Sequence, residues 1–193
     1  VVEGGDTMNP SIQEILDAVE AAPSENVIFL PNNRNIVPAA NQAVELSEKQ
    51  LRVVPSTTIP QGIAAMLAFN PERGLDDTVS DMSRILSSVR TGEVCNAVRA
   101  VQLNGVPVRE GQLIGLLERK LVVAGDEPIA VTLSLLREAD VSEGDLVTLY
   151  WGGPLTPDDA DAARRRVEER FPGAEVELVE GGQPHYHFIL SIE

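Results

Sequence analysis

The chain has one cysteine, Cys95, which excludes an internal disulfide and any metal site built from several thiolates. This cysteine usage fits a reducing compartment, so a cytoplasmic location is expected, with Cys95 read as a small buried hydrophobe. Basic side chains are also scarce. Fifteen Lys and Arg against 30 Asp and Glu give a formal net charge of −15, which argues against a nucleic-acid backbone or an anionic membrane surface as partner. No apolar run approaches the roughly 18 residues a transmembrane helix needs, and the first residues do not read as a signal peptide, so a membrane-integral protein is not expected. Nucleotide-binding motifs are missing: there is neither a GxxxxGK(S/T) loop nor a GxGxxG turn, and Gly152-Gly153 is too short to count. A GxSxG elbow is missing too, which leaves an independent hydrolase without a nucleophile–base pair.

What is present is an ordinary globular composition, 43% hydrophobic and 23% charged, over 193 residues. That length holds one large domain or two subdomains. The chain starts at Val1 without an initiator methionine and is expected to be a piece of a longer protein.

Two stretches organise the first half. VIFLPNNRN (27–35) takes strand-favouring residues into a proline and then into polar side chains. LRVVPSTTIPQG (51–62) repeats the arrangement. Strands at Val27–Leu30 and Leu51–Val54, with an alanine-rich helix between them, have the spacing of one parallel strand–helix–strand unit. An earlier helix is predicted with Asn9 as its cap and Pro10 at its first position, carrying Ile12, Ile15, Leu16 and Val19 on one stripe. Asn35 is the predicted cap of the intervening helix. Thr58 and Gln61 are expected to form a capping box for the next, Pro60–Phe69, which is nearly free of charge and reads as buried on most sides. A second amphipathic helix is predicted over Leu75–Arg90, with Ile85 widening its apolar stripe.

The pattern changes at Thr91-Gly92. Short β segments follow at Val94–Leu103, Leu113–Leu117 and Leu121–Val123, with a turn at Asn104-Gly105. A helix at Pro128–Glu138, a strand at Leu146–Trp151 and a helix opening at Thr156 lead to two final strands. The cluster Arg164-Arg165-Arg166 is followed by Glu168 and Glu169, whose charges can neutralise it on a helix face. In the last strand Tyr186, Phe188, Leu190 and Ile192 should share one face, and His185, His187 and Ser191 the other. Two histidines at that spacing could reach one metal, but no third ligand has a recognisable spacing, so no metal site is expected.

The side chains best placed for function are those following the two parallel strands, because ligands of open α/β sheets bind beyond the carboxyl ends of strands. Asn32, Asn33, Ser56, Thr57 and Thr58, with Asn35 beside them, offer amides, hydroxyls and helix-start N–H groups suited to a carboxylate or phosphate. They suit binding better than catalysis. The alternative is that each merely caps its own turn or helix.

GGDTMNPSIQEIL, VIFLPNNRNIVPAANQA, VVPSTTIPQGIAAMLAFNP and the closing GGQPHYHFILSIE together resemble the C-terminal region of the dihydroxyacetone-kinase-like family that includes the bacterial fatty-acid kinase catalytic subunit. The resemblance covers nearly the whole chain. It implies an α/β, DegV-like (EDD-type) fold, with an N-terminal parallel-sheet subdomain over 1–91 and a smaller mixed α+β subdomain over 92–193. It implies a non-catalytic domain whose partner is a DegV-like fatty-acid-binding subunit, with no cofactor of its own. ATP and magnesium would belong to a separate upstream kinase domain. Gln61, Gly62, Gly181, Gly182 and Gln183 join the candidate contacts by this resemblance. The alternative is a module that holds a fatty acid or another small anion directly.

Overall fold

The structure is a computed structural model that describes residues 9–103 and 106–193. It comprises two compact units, Val1–Ser88 and Val89–Glu193, each with its own core.

In the first unit, helix α1 (Ile12–Glu20) precedes strand β1 (Asn26–Phe29), helix α2 (Val37–Leu46) and strand β2 (Gln50–Val53). The two strands pair in parallel, with Val27 opposite Leu51 and Phe29 opposite Val53. Helices α3 (Ile59–Leu67) and α4 (Leu75–Ile85) follow, and a single 3-10 turn, Leu86–Ser88, closes the unit. Strand alternation sorts the core into two layers. Val27, Phe29 and Leu51 pack with Ile15 and Val19 of α1 and Ala43 of α2. Ile28 and Leu30 pack on the opposite side with Ala65 of α3 and Met82 of α4. The small faces of α2 and α3 let both helices lie close to so narrow a sheet.

Three expectations change here. The first helix starts at Ile12 rather than Pro10, because Ser11 and Glu14 form a complete capping box: the Ser11 Oγ accepts the Glu14 N–H at 3.2 Å and the Glu14 carboxylate accepts the Ser11 N–H at 2.7 Å. The cap of α2 is Ile36, without a side-chain bond, and Asn35 lies one residue before it. The fourth helix ends at Ile85, which is exposed, and Arg90 already belongs to the next strand.

The second unit is the larger of the two, against the expectation of a smaller one, and its core is a six-stranded sheet. Its strands are β3 (Arg90–Asn96), β6 (Leu113–Leu117), β7 (Lys120–Gly125), β8 (Leu146–Trp151), β9 (Glu175–Glu180) and β10 (Tyr186–Ile192), in the order β7-β6-β3-β10-β8-β9. Strands β4 (Val101–Leu103) and β5 (Val106–Val108) form a separate antiparallel pair. The predicted continuous strand over Val94–Leu103 is therefore broken. After Asn96 the chain turns, with the Ala97 N–H donating to the Gln112 carbonyl and the Gly111 N–H to that of Ala97. The predicted Asn104-Gly105 turn lies outside the described residues.

Helices α5 (Pro128–Glu138) and α6 (Pro157–Arg170) cover one face through Leu135, Leu136, Ala163 and Val167, which pack on Val94, Leu149, Phe188 and Leu190. On α6, Arg164 pairs with Asp161 and Glu168, and Arg166 with Glu169, so the basic cluster is neutralised within its own helix. Strand β10 carries a bulge between Tyr186 and Phe188. Tyr186 stands opposite Cys95 and Phe188 opposite Val94, neighbours on β3 whose side chains face opposite ways. The expected common face for Tyr186 and Phe188 is thereby lost.

Candidate functional site

The parallel pairing of β1 and β2 places their following loops side by side. The ladder extends one step beyond the strands through the Val54 N–H, which donates to the Phe29 carbonyl at 3.0 Å. The loops are then joined by side chains. Asn32 adopts a left-handed backbone, φ 52°, a conformation asparagine tolerates better than most residues. Its N–H donates to the Ser56 Oγ at 3.1 Å, and that hydroxyl donates back to the Asn32 Oδ1 at 2.7 Å. Ser56 is fully buried.

Gly62, in the first turn of α3, completes the clasp: a Cβ there would stand 2.0 Å from the Asn32 Oδ1. Only glycine lets the amide lie against the helix. Thr58 caps α3 by accepting the Gln61 N–H at 3.4 Å, as expected. The return half of the predicted capping box is different. The Gln61 Oε1 accepts from the Thr57 N–H at 2.8 Å and from the Thr57 hydroxyl at 2.9 Å, while its Nε2 reaches the Leu86 carbonyl at 3.2 Å. The glutamine thus ties the loop to the end of the α4 segment. Asn33 lies outside this clasp and accepts the Asn35 N–H at 2.9 Å, an Asx turn on the exposed edge.

These bonds limit the chemistry. The Ser56 and Thr57 hydroxyls donate to amide oxygens, which cannot take a proton as an imidazole or carboxylate would. The arrangement can hold and orient; it does not make a nucleophile.

Gly181, Gly182 and Gln183 belong to the second unit, where they close the end of β8. The Gly181 and Gly182 N–H groups donate to the Trp151 carbonyl at 2.9 and 3.3 Å, and the Gln183 Nε2 donates to that of Tyr150 at 2.8 Å. Gly152 has a packing role that motif reasoning missed, since a Cβ there would stand 2.1 Å from the Tyr186 carbonyl oxygen. Its N–H donates to the His187 carbonyl at 3.0 Å. The His187 Nδ1 is buried without a hydrogen-bond partner, and burial lowers the pKa of the ring. Among the described residues no group of three His, Cys, Asp or Glu side chains could hold a metal.

The feature least visible in the sequence is the outer face of α3. Ile59, Ile63, Met66 and Leu67 fall at i, i+4, i+7 and i+8, one stripe, and all are exposed, Leu67 at 84%. The helix expected to be buried on most sides is buried through Pro60 and its small residues, Gly62, Ala64 and Ala65. Met66 and Phe69 also border a cleft of about 430 Å³, which is lined further by Asn26, Val27, Ile28, Leu30 and Met82.

Comparison with known proteins gives these features a context. The family model for the C-terminal region of FakA-like fatty acid kinase subunits matches residues 1–193. An uncharacterized protein of Staphylococcus haemolyticus is 36% identical and Protein YloV of Bacillus subtilis 34% identical, each over all 193 residues. The chain spans 35% of the length of each of these relatives. Among solved structures, the Streptococcus pneumoniae fatty acid kinase B3 protein loaded with linoleic acid superposes with a TM-score of 0.63 at 12% identity, covering 95% of this chain and 76% of that one. The DegV family protein Cg2579 of Corynebacterium glutamicum gives a TM-score of 0.62 at 13% identity, with 95% and 82% covered. Native dihydroxyacetone kinase of C. freundii gives 0.62 at 12% identity, with 96% and 41% covered. The α/β arrangement is thus the DegV-like fold, in two subdomains.

Proposed function

The chain belongs to the FakA-like C-terminal family of fatty acid kinase subunits, and from this we propose that it is the non-catalytic, partner-engaging domain of a longer fatty-acid kinase. In this reading the partner is a DegV-like subunit that carries the fatty acid. Phosphoryl transfer, with its ATP and magnesium, takes place on a part of the longer protein outside residues 1–193, in the cytoplasm. The domain holds the carrier while its acyl carboxylate is presented.

The observation that carries this reading is the α3 stripe. An apolar face of Ile59, Ile63, Met66 and Leu67, left exposed beside a rigid polar clasp, is what a docking surface requires: apolar area to remove from water, with fixed polar groups at its margin to set register. The clasp hydroxyls are committed to amides, which fits a holding role.

Retention of the fatty-acid-binding subunit by the longer protein tests it. The double variant Ile63→Glu/Leu67→Glu should lose retention by at least about tenfold, since two exposed apolar anchors at an interface commonly contribute more than ~1.4 kcal/mol together. Undiminished retention would sink the reading. The cleft beside β1 favours a second one, direct holding of an acyl chain, because its size falls within the range of small-ligand pockets and its lining joins apolar side chains, Met66, Phe69, Leu75 and Met82, to the polar Asn70 and Arg73. Native mass spectrometry of residues 1–193 purified from cells separates the two: a lipid adduct favours direct holding, and a clean apo mass favours docking alone.

A further inference from the structure

The clasp and the apolar stripe of α3 meet at one contact. Gly62 lies in the first turn of α3, one residue before Ile63 and so about 100° round the helix from it. The three atoms nearest a Cβ built there all belong to the Asn32 side chain: Oδ1 at 2.0 Å, Cγ at 2.6 Å and Nδ2 at 2.8 Å. The flank of the helix therefore rests directly on the amide.

Neither side of this contact yields freely. The Asn32 N–H donates to the Ser56 Oγ at 3.1 Å and its Oδ1 accepts from the same hydroxyl at 2.7 Å, so turning the amide aside would strip a fully buried hydroxyl of its acceptor. On the helix, Thr58 caps the first turn, and Gln61 is tied to Thr57 and, through its Nε2, to the Leu86 carbonyl at 3.2 Å. These bonds fix where α3 begins. Its sideways position falls to the contact at Gly62, since Ala64 and Ala65 offer only short side chains beneath and Ile63, Met66 and Leu67 are exposed.

We propose that Asn32 is a positioning residue for docking: its amide, held by Ser56, is the abutment that sets where the α3 stripe stands and so how well it fits the carrier. The proposal rests on the reading of that stripe as the docking surface. It gives Asn32 and Ser56 a part in recognition that requires no contact with the partner. The steric consequence is specific. A methyl added at Gly62 must open the contact by more than about 1 Å, because non-bonded heavy atoms settle at about 3.5–4.0 Å. A push of that size on the flank carries Ile59, Ile63 and Met66 sideways, and the core of an interface packs as tightly as a protein interior.

Carrier affinity and methyl NMR of Ile59, Ile63, Met66 and Leu67 test this, both on the longer protein at a temperature where every variant is folded. Gly62→Ala should displace those methyl resonances and weaken carrier binding at least about tenfold. Asn32→Gly removes the abutment and should weaken it about three- to tenfold. In Asn32→Gly/Gly62→Ala the added methyl takes the space the amide gave up. The resonances should then return toward their original positions and affinity recover to within about threefold, while urea stability stays lowered because Ser56 still lacks its partner. A merely structural Asn32 would not restore affinity without restoring stability. Methyl resonances that stay in place in Gly62→Ala, or an affinity unchanged across all three folded variants, overturns the proposal. Ile63→Glu/Leu67→Glu is measured alongside. Lost binding in that variant with full binding in Gly62→Ala defeats the positioning role and leaves the docking reading standing; full binding in the charged variant overturns the docking reading and the proposal with it.

Discussion

Ser56 is where the two loops are held together, and its role separates binding from folding at the level of one side chain. Its hydroxyl is both donor and acceptor to Asn32. Ser56→Ala should cost about 1–3 kcal/mol in urea unfolding, because the half-buried Asn32 groups lose a partner. Asn32→Gly keeps the left-handed backbone and removes the side chain, so the double variant should cost clearly less than the sum of the two single ones. Gly62→Ala acts on the same clasp from the helix side and should be at least as harmful, since its Cβ would overlap the Asn32 amide. Asn33→Ala, by contrast, removes only an exposed turn bond and should weaken carrier retention more than stability. The sequence placed Asn32, Asn33 and Ser56 at one sheet edge, from strand spacing alone. It could not tell that Ser56 bonds Asn32 while Asn33 stays outside, because that depends on the left-handed turn at Asn32. His187 makes a pH prediction. Its ring titrates near 6.5 when unfolded and lower when folded, so its stabilising contribution is complete above that value and is lost as pH falls through it toward the folded pKa. The thermal midpoint should drop between about pH 7.5 and 5.5, and His187→Gln should flatten that part of the profile.

At the scale of elements, what the sequence revealed is what local pattern determines. Pro128–Glu138 and Leu146–Trp151 match the structure at both ends, because a proline start or an unbroken strand-favouring run leaves little choice. Helix α6 opens as predicted at Thr156, whose hydroxyl accepts the Asp159 N–H at 3.2 Å while the Asp159 carboxylate accepts both Thr156 groups. Those bonds hold the Asp159 carboxyl below its ordinary value of 3.8. Thr156→Ala should therefore cost about 1 kcal/mol at neutral pH, the usual worth of such a cap. Its effect should shrink as pH falls below 3.8 through the folded pKa of Asp159, where the carboxylate takes up its proton. Equal cost at pH 7 and in acid would show that Asp159 contributes nothing to the cap. Helix α3 shows the opposite case. An apolar helix without charges reads as buried whether or not a second layer covers it, so the spacing of Ile59, Ile63, Met66 and Leu67 gave the stripe but not its exposure. The β10 bulge was hidden for a related reason: one inserted residue leaves the composition of a strand unchanged while reversing which face Tyr186 takes.

For the whole molecule, two units with separate cores imply two stabilities. The second unit closes Phe188, Leu190 and Leu149 between a six-stranded sheet and two helices. Among the described residues the first rests on two short parallel strands, and small parallel sheets are marginal when few strands share the core. Unfolding of residues 1–193 should therefore be biphasic, with the first unit melting at lower denaturant. Leu51→Ala and Leu135→Ala assign the phases, because each removes a buried side chain from one core and should cost about 2–5 kcal/mol there. Leu51→Ala should move only the early transition, read by hydrogen exchange at α1 and α2. Leu135→Ala should move only the later one, read at β3, β8 and β10. A single transition moved equally by both substitutions would mean that the units unfold as one, and the separate fragility of the first unit would have to be abandoned.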